Sequence, residues 1–160
     1  MNKISLNSKV SLLEIIFSVI IFAAAGIIML NCFGIARFTQ IRANDKAAAG
    51  AIIQSDIEII KSLKNPTEMH EFLDDSYDDK SSDNPITYTK YFDEKWVQGR
   101  GKDYTVTISV EEENINFGVL VSISISAKKT KPYPFIKKGG QDVYLVESKK
   151  FFPLTGGAYE

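Results

Sequence analysis

The sequence predicts an α+β chain: a long N-terminal α-helix, apolar in its first half and amphipathic in its second, packed on a small antiparallel sheet of about four strands. Three observations predict it. Residues 15–36 (IIFSVIIFAAAGIIMLNCFGIA) contain no charged side chain. Residues 37–64 contain no proline and space isoleucines at helical intervals. Beyond residue 86 the hydrophobic period shortens to two, the spacing of half-buried strands.

Composition narrows the function before any motif does. A chain of 160 residues suits one modest domain with an appendage. Lys and Arg number 19 against 20 Asp and Glu, a net charge of -1, which speaks against a basic nucleic-acid binder. An apolar content of 44% excludes the signature of a disordered protein. One cysteine excludes an internal disulfide framework and a cysteine-built zinc site. One histidine leaves little material for a metal centre or His-based catalysis. Assembly, binding or scaffolding is therefore expected rather than enzymatic chemistry, and no cofactor is implied.

The elements follow in chain order. Residues 1–9 (MNKISLNSK) carry two lysines and no acid and form a basic leader. Residues 10–36 are the expected transmembrane half of the helix, with Glu14 as its single acid. The 22 uncharged residues from Ile15 to Ala36 reach ~33 Å as a helix, enough for the ~30 Å hydrocarbon core of a bilayer. A buried core helix would fit less well, because so small a protein can hardly wrap a helix that is apolar all round. A secretory signal cut near Ala23-Ala24-Ala25 would leave the apolar GIIMLNCFGIA at the head of the mature chain. A lipidated Cys32 lacks the small residue such signals place before it, and Cys32 reads as an apolar filler. Lys3 and Lys9 on one side, and Arg37, Arg42 and Lys46 on the other, do not choose an orientation.

Residues 37–64 form the amphipathic half. Ile53, Ile57, Ile60 and Lys64 make one helical row, with Ile52, Ile59 and Leu63 beside it. Gln54, Asp56, Glu58, Lys61 and Ser62 fall mostly opposite. Pro66 disfavours helix at Asn65 and marks the end. A helix from Val10 to Lys64 would be ~82 Å long.

The remaining residues, 65–160, are the expected extracytoplasmic sheet domain. Residues 65–84 read as a loop or short helix with an acidic run: Glu68, Glu71, Asp74, Asp75, Asp78, Asp79 and Asp83. Strands follow over 86–92, 104–110, 117–126 and 143–151, with Glu111–Asn114 as a hairpin turn between the second and third. Apolar and polar residues alternate, so one face is dry, and the amphipathic half of the helix covers it.

The segment VSLLEIIFSVIIFAAAGIIML behind a short basic leader resembles the N-terminus of type IV pilins and type II secretion pseudopilins. In that family a prepilin peptidase removes the leader, and a glutamate stands fifth in the mature chain. Cleavage between Lys9 and Val10 puts Glu14 in that register. The resemblance covers residues 3–64, and beyond them only the architecture. It implies a chain held in the bacterial inner membrane by a single pass, with its C-terminal domain extracytoplasmic. It further implies a structural subunit, with other pilin-like subunits, an inner-membrane assembly platform and the peptidase as partners. Lys9 stands where the family has a small residue, usually glycine. The apolar half also lacks the proline found in many major pilins, which points to a minor subunit.

Glu14 can be argued from physics as well. A carboxylate central in a membrane helix costs ~2.5–3.5 kcal/mol on insertion scales. A cation from a partner offsets that cost, and in an assembled filament the family supplies the N-terminal amine of a neighbouring subunit, here that of Val10. Any other stagger would bury an unpaired charge. Ser11, Ser18, Ala23, Ala24, Ala25 and Gly26 would let helices approach closely. A Glu14 that snorkels to the interface without a partner is the alternative.

Other candidates carry less. The acidic run invites calcium, but counting from Asp74 places Asp79 at the sixth position and Pro85 at the twelfth, against the EF-hand pattern of Gly and Glu. A solvated loop is the expectation there. Lys128, Lys129, Lys131, Lys137 and Lys138 flank an aromatic PYPF and could touch nucleic acid, but such lysines more often solvate a loop and guard an edge strand. His70 is expected at the surface. Ser122, Ser124 and Ser126 are the polar face of a strand, without a base beside them.

Overall fold

The computed structural model describes residues 4–133 and 141–153, with side chains from residue 12 onward. The chain divides into two units, residues 1–41 and 42–160. The first is entirely helical where described. The second contains the remainder of that helix, a short second helix and one sheet.

Helix α1 runs from Ile4 to Ser62. It begins ahead of the expected Val10, since no proline or glycine interrupts residues 4–25. Within the second unit its buried residues are Asp45, Ala49, Ile53, Asp56 and Ile60. Their spacing of four, four, three and four is one stripe of a 3.6-residue helix. Ile53 and Ile60 are therefore inward as expected. Asp56, expected on the polar side, is also inward, because it lies three residues after Ile53 and four before Ile60.

Helix α2 (Pro66–Ser76) opens on Asn65 as its N-cap. The Asn65 side chain accepts from the Glu68 backbone N–H at 2.8 Å, and the Glu68 carboxylate accepts from the Lys64 N–H at 2.9 Å. Pro66 occupies the first turn, where its missing N–H is no loss. Met69 and Leu73 bury one face.

The sheet has five antiparallel strands in sequence order: β1 (Asp79–Ser81), β2 (Ile86–Phe92), β3 (Tyr104–Ile115), β4 (Gly118–Lys129) and β5 (Gln141–Pro153). The four expected strands are all present. β1 is the addition, a three-residue edge inside the acidic run, too short and too polar for a period to show. Tyr88, Val106, Ile108, Val110, Val121, Ile123 and Ile125 form the dry face, packed with Ala49, Ile53 and Ile60 of α1 and with Met69 and Leu73 of α2.

The hairpin between β3 and β4 differs from expectation. Glu111, Glu112 and Glu113 continue the strand opposite Ser122, Val121 and Leu120, and the turn falls at Asn116-Phe117. Cross-strand hydrogen bonds hold an acidic stretch that beyond the core needs no burial. Phe117, expected on the dry face, sits at the hairpin tip and is 76% exposed.

Gly118 follows that turn where the backbone is crowded. A Cβ there would collide with the Phe152 carbonyl of β5 and the Phe151 ring. Gly118→Ala should therefore force β4 and β5 apart and destabilise the domain by about 1–3 kcal/mol, read as a lower thermal midpoint of the near-ultraviolet tyrosine signal in detergent. An unchanged midpoint would show that the strands relax freely there.

Candidate functional site

The first unit offers one feature of functional weight. Along Leu12–Ile35, fifteen large apolar side chains are between 49% and 82% exposed. Phe22, Leu30 and Phe33 are among the most open. This surface surrounds the helix on all sides, and no residue of its most apolar stretch is buried. Soluble monomers rarely expose contiguous apolar patches beyond a few hundred Å². The helix is long and apolar enough to cross a membrane. Glu14 is exposed and stands near the head of this stretch. Lys9 and Val10, the expected leader bond, lie in helical backbone, and their side chains fall outside the described residues. Cys32 is a free, exposed thiol among apolar neighbours.

In the second unit, α1 is attached to the sheet by polar contacts that hydrophobic spacing did not reveal. Asp56 accepts from Lys90 of β2 at 3.0 and 3.1 Å and from the Tyr77 hydroxyl at 2.6 Å. Lys90 and Asp56 are each 8% exposed at the side chain, so the charges meet away from water. Lys90 also lies over the Tyr77 ring, 4.1 Å from its centroid. Three turns earlier Asp45 repeats the arrangement. It accepts from Lys129 of β4 at 3.2 Å and from the Tyr133 hydroxyl at 2.8 Å, while Lys129 also donates to the Tyr104 hydroxyl at 2.6 Å. At the end of α1, Lys150 of β5 donates to the carbonyls of Ile60, Lys61 and Leu63. These carbonyls lie at and just past the end of α1, where the regular i+4 donors run out and Ile60 accepts instead from the Leu63 N–H at 3.3 Å, and a cation there also complements the helix dipole.

The tyrosines register this burial. Desolvation first, then the Asp56 carboxylate, pushes the Tyr77 hydroxyl far above the usual phenol range. Burial and Asp45 do the same to Tyr133.

The remaining sequence candidates are dispersed or paired. Lys80 bonds Asp74 at 2.7 Å, Ser81 bonds Asp83, and Asp78 accepts from the Tyr91 N–H at 2.9 Å. The acidic run is thus divided between α2, β1 and their connections, and among the described residues no group of three or more potential ligands converges on a metal position. Lys131 pairs with Asp103 at 2.6 Å and Lys128 lies 3.7 Å from Asp142. Lys129 faces inward rather than solvent, and Lys137 and Lys138 lie outside the described residues. His70 is half-buried, contrary to the surface expectation. Its Nδ1 lies 2.8 Å from the Tyr88 hydroxyl and its Nε2 2.8 Å from Glu112 Oε1, tying α2 to β2 and β3. A shallow groove of about 430 Å³ on the outer sheet face is lined by Ser109, Ser122 and Ser124 with Glu111, Glu147 and Lys149.

No protein-family model, curated protein or solved structure matches the chain.

Two outcomes follow from the polar attachments. Lys90→Met leaves the Asp56 carboxylate buried without its cation and should cost about 3–5 kcal/mol, while Asp56→Leu combined with Lys90→Met should recover most of the loss, measured by denaturant unfolding in detergent. Second, the raised hydroxyls make the fold sensitive to alkali. Tyr77 and Tyr133 hold their protons in the folded state, whereas the unfolded chain releases them near pH ~10. Their contribution is therefore fully present below that pH and is lost as pH rises through and beyond it. Tyr77→Phe should flatten the decline in stability above pH ~10, and an unaltered slope would count against the buried-phenol account.

Proposed function

We propose that this chain is a structural subunit, of the minor kind, of a type IV pilus or type II secretion pseudopilus. The supporting observation is an apolar helical stretch, uncharged over residues 15–36 and exposed on every side, with a single carboxylate, Glu14, directly ahead of it. Such a surface needs either lipid or other apolar helices as its surroundings. A subunit that waits in the inner membrane and then joins a filament has both in turn.

In this mechanism the subunit is held by residues 10–36 with its C-terminal domain outside the inner membrane. A prepilin peptidase cuts between Lys9 and Val10. An ATP-driven platform extrudes the subunits, and their apolar helices bundle in the filament core. Glu14 accepts the freed Val10 amine of a neighbour. That contact sets the axial stagger, because a slipped subunit leaves a carboxylate unpaired in an apolar bundle. The sheet domain faces outward. Assembly is non-covalent, and the chain acts as no enzyme.

Lys9 favours a second reading: a single-pass anchored extracytoplasmic binding domain whose leader stays in place and which does not polymerise. The N-terminus separates the two. The membrane-fraction protein, expressed with and without its prepilin peptidase, should begin at Val10 only when the peptidase is present. Glu14→Ala should then leave membrane insertion intact and lower filament incorporation by about tenfold or more, as one unpaired buried charge implies. A Met1 start under both conditions would transfer the assignment to the anchored binding domain.

A further inference from the structure

We propose that two copies of this chain pair edge to edge through β5, in one antiparallel register centred on Ser148. β5 is thirteen residues long and forms one edge of the sheet. Among the described residues only β4 pairs with it, and none of them pairs with its other side. The opposite edge, β1, has three residues. A long edge strand is a template for another strand unless its side chains forbid the approach.

Here the side chains permit one approach and oppose the neighbouring ones. Leu145, Glu147, Lys149 and Phe151 stand opposite Ser126, Ser124, Ser122 and Leu120 of β4, on the face away from α1. Leu145 is 59% exposed and Phe151 45%. Among the described residues neither Glu147 nor Lys149 has an ion pair within its own chain. The row reads apolar, negative, positive, apolar. Turned end for end about Ser148 and laid against itself, it sets each Glu147 opposite a Lys149 and each Leu145 opposite a Phe151. On the other row Val146 meets the stem of Lys150, whose ammonium is already engaged by the α1 carbonyls.

Slipping the register by two residues sets Glu147 against Glu147, or Lys149 against Lys149, and an apolar side chain against a charge. Parallel in-register pairing also sets like against like. Opposite charges directly across a strand pair stabilise it and like charges destabilise it. The row therefore selects its register, and the contact is isologous with a two-fold axis. That axis stands perpendicular to the sheet. The α1 segment 42–62 lies on one face of the sheet, bonded at Asp45 by Lys129 of β4, at Asp56 by Lys90 of β2 and at the Ile60 carbonyl by Lys150 of β5. In the pair these two segments run in opposite directions. The contact does not depend on the filament reading.

The test uses the full chain in detergent micelles, with Cys32→Ser to remove the native thiol. Ser148→Cys should give a disulfide-linked dimer under mild oxidation, since directly opposed residues in an antiparallel pair have Cα atoms about 4.5–5.5 Å apart. Leu145→Cys alone should stay monomeric, because its symmetry mate is six residues, ~20 Å, away. Mixed with Phe151→Cys, it should cross-link. Without cysteines, sedimentation should show Glu147→Lys or Lys149→Glu weakening the dimer about tenfold or more, and the double reversal, or a mixture of the two single variants, restoring it. Dimers that ignore both reversals, Leu145→Cys linking to itself as readily as Ser148→Cys, or a Ser148→Cys chain that stays monomeric, would overturn the proposal.

Discussion

A helix whose buried stripe carries two aspartates can lie on a sheet only where the sheet supplies cations at matching places. Asp45 and Asp56 stand eleven residues apart, close to three full turns, and so share one face of α1. Lys129 of β4 and Lys90 of β2 meet them, and Lys150 of β5 closes the helix end. Three strands thus each contribute one lysine to one helix. Apolar contacts would hold α1 against the sheet in several positions, since isoleucine against valine tolerates sliding. Two buried carboxylates do not, because a shift of one turn strands both charges out of water.

The tyrosines complete these attachments. Asp56 has four lone-pair positions, and one lysine does not fill them; the Tyr77 hydroxyl supplies another donor. Tyr133 does the same at Asp45. Both rings also lie beneath the lysine ammonium groups, so each cation has a carboxylate on one side and an aromatic face on another. His70 extends the scheme to the second helix through Tyr88 and Glu112. The domain is held by a polar set inside an apolar core, and this gives α1 a defined seat on the sheet.

That seat has a consequence for the functional reading. In the filament proposed above, a subunit would pass axial order through its helix and so would need its domain fixed on that helix. The lysine contacts hold residues 42–62 on the sheet, while among the described residues the most apolar stretch of the helix has no buried residue. The two halves of one helix thus meet different surroundings. One packs its inward stripe on the sheet, and the other presents large apolar side chains on every side.

The sequence by itself determined whatever depends on local periodicity. The uncharged run 15–36, the isoleucine row ending before Pro66, and the alternation in 86–92, 104–110, 117–126 and 143–151 each report burial of a face, and burial is periodic along an element. Four strands and the long helix were legible for that reason, as was Glu14, a lone charge against an apolar background. What depends on a partner distant in the chain was decided only by the tertiary structure. Asp56 reads as polar until Lys90, 34 residues later, is brought beneath it, and Lys90 is an unremarked polar residue in β2 until then. Lys129 reads as one of a solvated cluster, yet it reaches back 84 residues to Asp45. Glu111–Asn114 reads as a turn because charge commonly marks loops, but the β4 backbone opposite supplies a ladder that needs no apolar side chain. A buried polar contact has no period, since it is made between two single positions, and only the fold brings those positions together.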